Sequence, residues 1–133
     1  HTNIDLVGKD AVIIGQSNIV GRPMLLELLM ARCTPTICHS KTKNLKEKMK
    51  SADIIIAAVG VPKFIMGADL KEGCIAIDVG INKIKNNGLC GDIDFESAKE
   101  VAEWISPVPG GVGPMTVATL LSNTMQAATL KQN

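Results

Sequence analysis

Several residue types are scarce in this 133-residue chain, and each scarcity excludes a class of function. Aromatic residues make up 2% and tyrosine is absent, so a base-stacking surface for single-stranded nucleic acid is not expected. The net charge of +1 gives no general attraction to nucleic acid or to a membrane surface. No apolar run approaches the roughly 18 residues of a membrane-spanning helix. Neither nucleic acid nor a membrane is therefore an expected partner.

The cysteine pattern argues against a metal site. The chain has four cysteines (Cys33, Cys38, Cys74 and Cys90), and no two of them have Cys-x-x-Cys spacing. Cys38 and Cys74 lie inside apolar runs, which predicts buried, reduced thiols. Reduced thiols favour a cytoplasmic location, with an organelle matrix left open.

The beginning of the sequence has neither an initiator methionine nor the basic and apolar regions of a signal peptide. We therefore expect the chain to be cut from something longer, or processed.

Short apolar runs alternate with helical patterns along the chain. Strands are predicted over 10–14, 34–38, 53–59, 74–79 and 104–106. Helices are predicted over 22–32, 44–50, 94–102 and 115–130, with a helical turn at 69–71 and a hairpin-type turn at 86–88. Continuous apolar strands between helices are typical of a parallel sheet that is covered on both faces. The sequence predicts one α/β domain of Rossmann type over residues 1–133.

Three of these strands end in glycine, at Gly15, Gly60 and Gly80. The carboxyl ends of parallel strands meet at one edge of a sheet, which is where ligands bind in open α/β folds. A single glycine would indicate only a turn, but three at one edge favour a binding site.

The turn after the first strand, Gly15–Pro23, has the strand–glycine–helix order of a dinucleotide site. It departs from G-x-G-x-x-G because Ser17 replaces the second glycine and Gly21 comes one position late. We expect N–H groups at the helix start and the Ser17 hydroxyl to face a pyrophosphate. Arg22 is either a further cationic contact or a solvated side chain.

The residues after the second strand favour NADP over NAD. NAD sites usually place an acid about 20 residues after the glycine turn, on the ribose. Here no acid occurs between Glu27 and Glu47, and His39, Ser40 and Lys41 follow the strand instead. Hydroxyls and cations suit a ribose that carries a phosphate.

Five ordered motifs resemble a known family, that of the bifunctional methylenetetrahydrofolate dehydrogenase/methenyltetrahydrofolate cyclohydrolases. The most unusual is the glycine- and proline-rich loop from Pro109 to Thr116. The others are Gly15–Pro23, Cys38–Thr42, Asp78–Asn82 and Gly91–Phe95. The resemblance covers residues 4–128 and corresponds to the family's NAD(P)-binding domain.

The resemblance implies an enzyme of one-carbon folate metabolism. Family members oxidise methylenetetrahydrofolate with NAD(P) and hydrolyse the methenyl product to formyltetrahydrofolate; they have two domains and are commonly homodimers. It places Ser40 at the ribose phosphate, Ile81 near the nicotinamide, and the loop Gly110-Gly111-Val112 in the folate cleft. The cofactor-binding residues expected from the residues and the resemblance together are Gly15, Gln16, Ser17, Arg22, His39, Ser40, Gly60 and Ile81.

Two departures qualify the resemblance. Many relatives carry arginine where Gln16 stands, so NADP preference is either weaker here or rests on Ser40 with nearby lysines. The family's catalytic tyrosine and lysine belong to an amino-terminal domain, and this chain has neither in that motif. Asp78 and Asp92 are the candidates to replace these catalytic residues, although a capping or structural role is at least as expected for them. We expect no catalytic residue here and no turnover by the chain alone.

Two other readings stay open at this stage. One is a non-catalytic, regulatory dinucleotide-binding module with the same fold. The other is an unrelated Rossmann dehydrogenase, in which the five motifs would agree by accident.

Overall fold

The computed structural model describes residues 4–85 and 88–130. Within these ranges the chain forms seven strands, four α-helices and one 3₁₀ turn at Gly67–Asp69. The strands are β1 (Asp10–Ile14), β2 (Thr34–Cys38), β3 (Ile54–Ala57), β4 (Ile75–Asp78), β5 (Asn82–Ile84), β6 (Gly88–Cys90) and β7 (Trp104–Ile105). The helices are α1 (Gly21–Met30), α2 (Leu45–Ser51), α3 (Phe95–Ala98) and α4 (Val112–Leu130).

Five of the strands form one parallel sheet in the order β2-β1-β3-β4-β7. Ile14 at the end of β1 pairs with Cys38 on one side and with Ala57 on the other. The chain therefore winds outward in both directions from β1, and the edge above β1 and β3 is the topological switch point of the sheet. This arrangement confirms the predicted Rossmann-type class.

Alternate residues of the strands pack on opposite faces of the sheet. Val12 and Ile55 face a core that includes Met49 of α2, Leu70 after the 3₁₀ turn and Ala98 of α3. Ile13 and Ile54 face a second core that includes Leu28 of α1. Helices thus cover both faces, and this confirms the prediction.

Two helix boundaries differ from the sequence prediction by three residues or more. Helix α4 begins at Val112 rather than at residue 115, because a proline is tolerated in the first turn, where its missing N–H would have no partner in any case. Helix α3 ends at Ala98 rather than at residue 102. The carbonyl oxygen of Val101 instead accepts the Gly73 N–H at 2.8 Å, which ties that segment to the loop before β4. The predicted cap of α3 is confirmed, since the Asp94 side chain accepts the Ser97 N–H at 3.2 Å.

A short hairpin follows β4. Strands β5 and β6 pair antiparallel, with Asn82 opposite Cys90. The predicted turn residues Asn86 and Asn87 lie outside the described residues, so that prediction stays open at those two positions.

All four cysteines are free and buried, as predicted for Cys38 and Cys74. Burial raises the pKa of the thiols of Cys33, Cys38 and Cys74. These thiols therefore stay protonated and serve as small apolar core residues. No helix in the described part of the chain is long and apolar enough to cross a membrane.

Candidate functional site

A groove of about 440 Å³ lies at the carboxyl ends of β1, β2 and β3. Four of the predicted cofactor-binding residues line it, namely Gly15, Gln16, His39 and Ser40. The rest of the wall is largely apolar and is formed by Ile14, Leu45, Ala58, Val59, Val61 and Phe64. A groove with polar ends and apolar walls at the switch point fits the adenosine part of a dinucleotide.

The glycines of the first turn are required by backbone packing. Gly15 has φ +113°, and a Cβ there would overlap the carbonyl oxygen of Ala58, the residue directly after β3. A Cβ at Gly21 would overlap the carbonyl oxygen of Gly15. These two glycines therefore bring the turn, the start of α1 and the end of β3 together, which creates the floor of the groove.

Ser17 changes which N–H groups are available to a ligand. Its Oγ accepts from the Val20 N–H at 3.1 Å and the Gly21 N–H at 3.4 Å, and its carbonyl oxygen accepts from the Arg22 N–H at 3.0 Å. The expectation that N–H groups at the helix start face a pyrophosphate needs correction for these residues, because Ser17 already engages them.

The available donors lie one step earlier in the chain. Among the described residues, the backbone N–H groups of residues 16–19 have no protein acceptor. They precede the first turn of α1, so they still lie at the positive end of the helix dipole. The Ser17 hydroxyl also keeps its own proton free to donate.

The turn after β2 is organised by its own side chains. The Nδ1 atom of His39 accepts the Lys41 N–H at 3.1 Å, and the His39 N–H donates to the Thr42 Oγ1 at 2.9 Å. His39, Ser40 and Lys41 are all exposed. The strand end therefore presents a hydroxyl, an imidazole and an ammonium group from a fixed backbone, a combination suited to a phosphate.

Glycine is required at Gly60 and at Gly80, which follow β3 and β4, for different reasons. Gly60 has φ +69° and open space around it, so its backbone conformation alone accounts for glycine. A Cβ at Gly80 would overlap the carboxylate of Asp92. Gly80 is therefore explained by a buried side chain rather than by close approach of a ligand.

Asp78 and Asp92 are buried hydrogen-bond acceptors. Asp92 is 0% exposed, and its Oδ2 accepts the N–H groups of Val59 at 2.6 Å and Gly60 at 2.9 Å. Its Oδ1 accepts from the Asn82 Nδ2 at 2.8 Å.

Asp78 is 2% exposed and accepts N–H groups from residues 80, 92 and 93. Burial raises the pKa of Asp78, and these three hydrogen bonds oppose the rise. Because each carboxylate is occupied in this way, the structural reading of Asp78 and Asp92 is favoured over a catalytic one.

A second cleft, of about 290 Å³, opens beyond the end of β4. Ile81, whose side chain is 66% exposed, lines it together with Gly110, Gly111 and Val112. The Ser106 Oγ accepts the Asp78 N–H at 2.8 Å and so fixes the start of this loop against β4. The structure thus places together the four residues that the resemblance implies for the nicotinamide and folate cleft.

The remaining predicted residues lie around these two cavities. Gly60 is between Val59 and Val61, which line the first groove, whereas Ser17 and Arg22 line neither. Arg22 is exposed at the start of α1. Sequence reasoning did not identify Val61 and Phe64 as lining residues, because apolar side chains give no signal that separates a groove wall from a core.

Comparisons with known proteins agree with this geometry. The family model described as the tetrahydrofolate dehydrogenase/cyclohydrolase NAD(P)-binding domain matches residues 1–132. The chain is 63% identical over 124 residues to the bifunctional protein FolD of Vesicomyosocius okutanii, covering 93% of this chain and 45% of that protein.

Two solved structures show the same fold. One is the bifunctional enzyme FolD, a methylenetetrahydrofolate dehydrogenase/cyclohydrolase, from Campylobacter jejuni, with a TM-score of 0.93 and 51% identity over 96% of this chain and 45% of that chain. The other is the Trypanosoma brucei methylenetetrahydrofolate dehydrogenase-cyclohydrolase complexed with NADP and inhibitor, with a TM-score of 0.87 and 36% identity over 93% of this chain and 44% of that chain. The chain therefore spans less than half the length of the relatives that it matches.

Proposed function

The chain belongs to the tetrahydrofolate dehydrogenase/cyclohydrolase family, whose NAD(P)-binding domain it spans, and from this membership we propose that it is the NADP-binding part of such an enzyme. The whole enzyme would oxidise methylenetetrahydrofolate to methenyltetrahydrofolate and hydrolyse that product to formyltetrahydrofolate. Its folate products would serve one-carbon metabolism, including purine biosynthesis, in the cytoplasm.

The observation that carries the proposal is the grouping of Gly15, Gln16, His39 and Ser40 in one groove at the switch point of a parallel sheet. Free N–H groups at residues 16–19 would bind the pyrophosphate. His39, Ser40 and Lys41 would bind the phosphate on the adenine ribose, where an NAD enzyme usually has an acid. The Trypanosoma brucei relative binds NADP, which supports the same cofactor here.

The second cleft would hold the reacting groups. With the adenosine end at β2, an extended dinucleotide would run across β1 and β3 towards Ile81. The nicotinamide would then face the cleft formed by Ile81 and the loop of residues 110–112. This chain would supply one wall of that cleft, and the general acid and base would come from the remainder of the enzyme.

Helix α4 supports the proposal that a further domain packs on this chain. Residues 112–130 include no charged side chain, and none of them is buried. Its exposed large apolar side chains are Met115, Val117, Leu120, Leu121, Met125 and Leu130. Apolar helices of this composition are normally covered by another surface, and a large exposed apolar patch marks an interaction site. We propose the missing amino-terminal domain as that surface, within a homodimeric enzyme.

The test is calorimetric titration of the chain with NADP and NAD in parallel. The proposal predicts binding of both and a lower dissociation constant for NADP. The proposal would be contradicted if neither nucleotide bound. The regulatory-module alternative predicts binding without activity even in the full-length protein, so a dehydrogenase assay of that protein separates the two functions.

A further inference from the structure

The carboxylate of Asp92 lies between the two parts of the proposed cofactor site. On one side it accepts the N–H groups of Val59 and Gly60, which follow β3 and border the adenosine groove. On the other side it accepts from the Asn82 side chain at 2.8 Å. Asn82 directly follows Ile81, the residue that lines the nicotinamide cleft. One buried group therefore holds both walls.

Packing makes this connection tight. Asp92 is fully buried, and Gly80 lies so close to it that a Cβ at position 80 would overlap its carboxylate. Asn82 is only 8% exposed, and its backbone pairs with Cys90 across the hairpin. The carboxylate therefore has no room to move independently of the β4 end and the hairpin.

The same hydrogen bonds decide which backbone groups can reach a phosphate. The N–H groups of Val59 and Gly60 point to Asp92, so they are not donors to a ligand. In the turn after β1, by contrast, the N–H groups of residues 16–19 have no acceptor among the described residues. The pyrophosphate would therefore be held by the β1 turn, and the nicotinamide half would pass the end of β3, where Asp92 engages the N–H groups of Val59 and Gly60.

We propose that Asp92 is a positioning residue, which through Asn82 sets the place of Ile81 and so of the nicotinamide half of the cofactor. The proposal rests on the proposed function, because it needs a dinucleotide in this groove. It assigns Asp92 no part in proton transfer. Asp92 would affect binding of the nicotinamide half of the cofactor and not binding of the adenosine half.

The experiment compares two probes on the full-length protein that contains this chain. NADP fills both halves of the site, whereas adenosine 2′,5′-bisphosphate reaches only the adenosine end. In Asp92→Asn, one of the two acceptor oxygens becomes an NH2 donor. This donor must face either the backbone N–H groups of Val59 and Gly60 or the Nδ2 of Asn82, so two donors meet and a hydrogen bond is lost. We expect the preference for NADP over adenosine 2′,5′-bisphosphate to fall about tenfold, because Ile81 would no longer be held in the position that fits the nicotinamide half. Adenosine 2′,5′-bisphosphate should bind as in wild type.

The matched control is Asp53→Asn, which lies at the amino ends of the strands, opposite to the candidate groove. Asp53 directly precedes the same strand, β3, and its carboxylate likewise accepts a backbone N–H, that of Asp10 at the start of β1, at 3.0 Å. A loss of stability alone would affect both variants, so urea unfolding is measured for each. Only Asp92→Asn should change the ratio of the two affinities and lower kcat for the NADP-dependent oxidation.

Asn82→Ala keeps the experiment decisive if Asp92→Asn does not fold. It removes only the link to the hairpin and leaves the hydrogen bonds of Val59 and Gly60 in place. We expect the same change of the affinity ratio, in the same direction. An unchanged ratio in a folded Asn82→Ala variant, or an equal change in Asp53→Asn, would overturn the positioning role. Failure of the wild type to bind either probe would instead reject the proposed function.

Discussion

The carboxylate of Asp78 occupies the space into which a side chain at Gly91 would point. Gly91 is buried at the exit of the hairpin, and Asp78 is fixed there by the N–H groups of Asp92 at 3.0 Å and Ile93 at 2.7 Å. A methyl group at position 91 therefore has to displace either the carboxylate or the backbone.

We predict that Gly91→Ala lowers the free energy of unfolding of the chain by about 2 kcal/mol or more, because overpacking and broken buried hydrogen bonds act together. Urea unfolding measures the loss. Gly113→Ala is the matched control, since a Cβ there meets nothing within 4 Å and the residue lies in α4. That control should be neutral or slightly stabilising. Equal stability of the two variants would contradict the packing argument.

A negative charge at position 17 should weaken nucleotide binding. Ser17 Oγ accepts two N–H groups, and an aspartate oxygen can replace it as an acceptor, so Ser17→Asp should fold. The new charge would repel the pyrophosphate. Calorimetry should give an NADP dissociation constant raised at least about tenfold. Ser17→Asn, a neutral side chain of similar shape, is the control and should lose much less affinity. Unchanged affinity in Ser17→Asp would remove this turn from the site.

The cofactor preference should respond to position 16. Gln16 lines the same groove as His39 and Ser40, so an arginine there can reach a phosphate on the adenine ribose. We predict that Gln16→Arg tightens NADP binding about tenfold and leaves NAD binding unchanged. Parallel titrations with the two nucleotides measure the difference. If both affinities rise together, residue 16 faces the pyrophosphate and not the ribose phosphate.

Asp53 should contribute to the loss of stability in acid. A hydrogen bond from Lys71 lowers the pKa of Asp53 in the folded chain, with the Asp10 N–H adding to the effect. A lowered carboxyl pKa gives stability that is present above the unfolded pKa and is lost as pH falls through the folded one. The raised pKa of Asp78 acts in the opposite direction, because it favours the folded chain at low pH.

We therefore predict that Asp53→Asn loses less stability than wild type between about pH 6 and about pH 3. Urea unfolding at the two pH values gives the comparison. Lys71→Met removes the partner that contributes most to the shift, and should likewise weaken the pH dependence. Parallel curves for wild type and both variants would show that Asp53 has no such role.

Local sequence signals are sufficient to predict the sheet and the edge at which the candidate groove lies. Strands β1 and β2 begin and end at the predicted residues. For β1 the reason is a continuous apolar run from Ala11 to Ile14 that ends at a glycine, which marks a buried parallel strand clearly. Gly15 and Gly60 indicated the edge correctly. The apolar run predicts an end of β3 that is two residues too late, because the Val59 N–H donates to Asp92, 33 positions away in the sequence, instead of to a neighbouring strand.

Contacts between distant residues explain what the sequence did not reveal. Gly80 was expected to admit a ligand, yet it is glycine because Asp92 packs against it. A glycine that admits a ligand and a glycine that makes room for a buried carboxylate look the same in the sequence, so only the fold distinguishes them.

The last prediction concerns catalysis by the chain alone. Hydride transfer needs the nicotinamide and the folate held at roughly 3–3.5 Å in the reacting geometry. This chain provides one side of such a cleft, through Ile81 and residues 110–112, and the carboxylates of Asp78 and Asp92 are occupied by backbone and side-chain donors. We predict that the purified chain folds and binds NADP but has neither dehydrogenase nor cyclohydrolase turnover. Adding the rest of the enzyme in trans, or fusing it, should restore activity. Turnover by the chain alone would mean that catalytic groups lie on this domain after all.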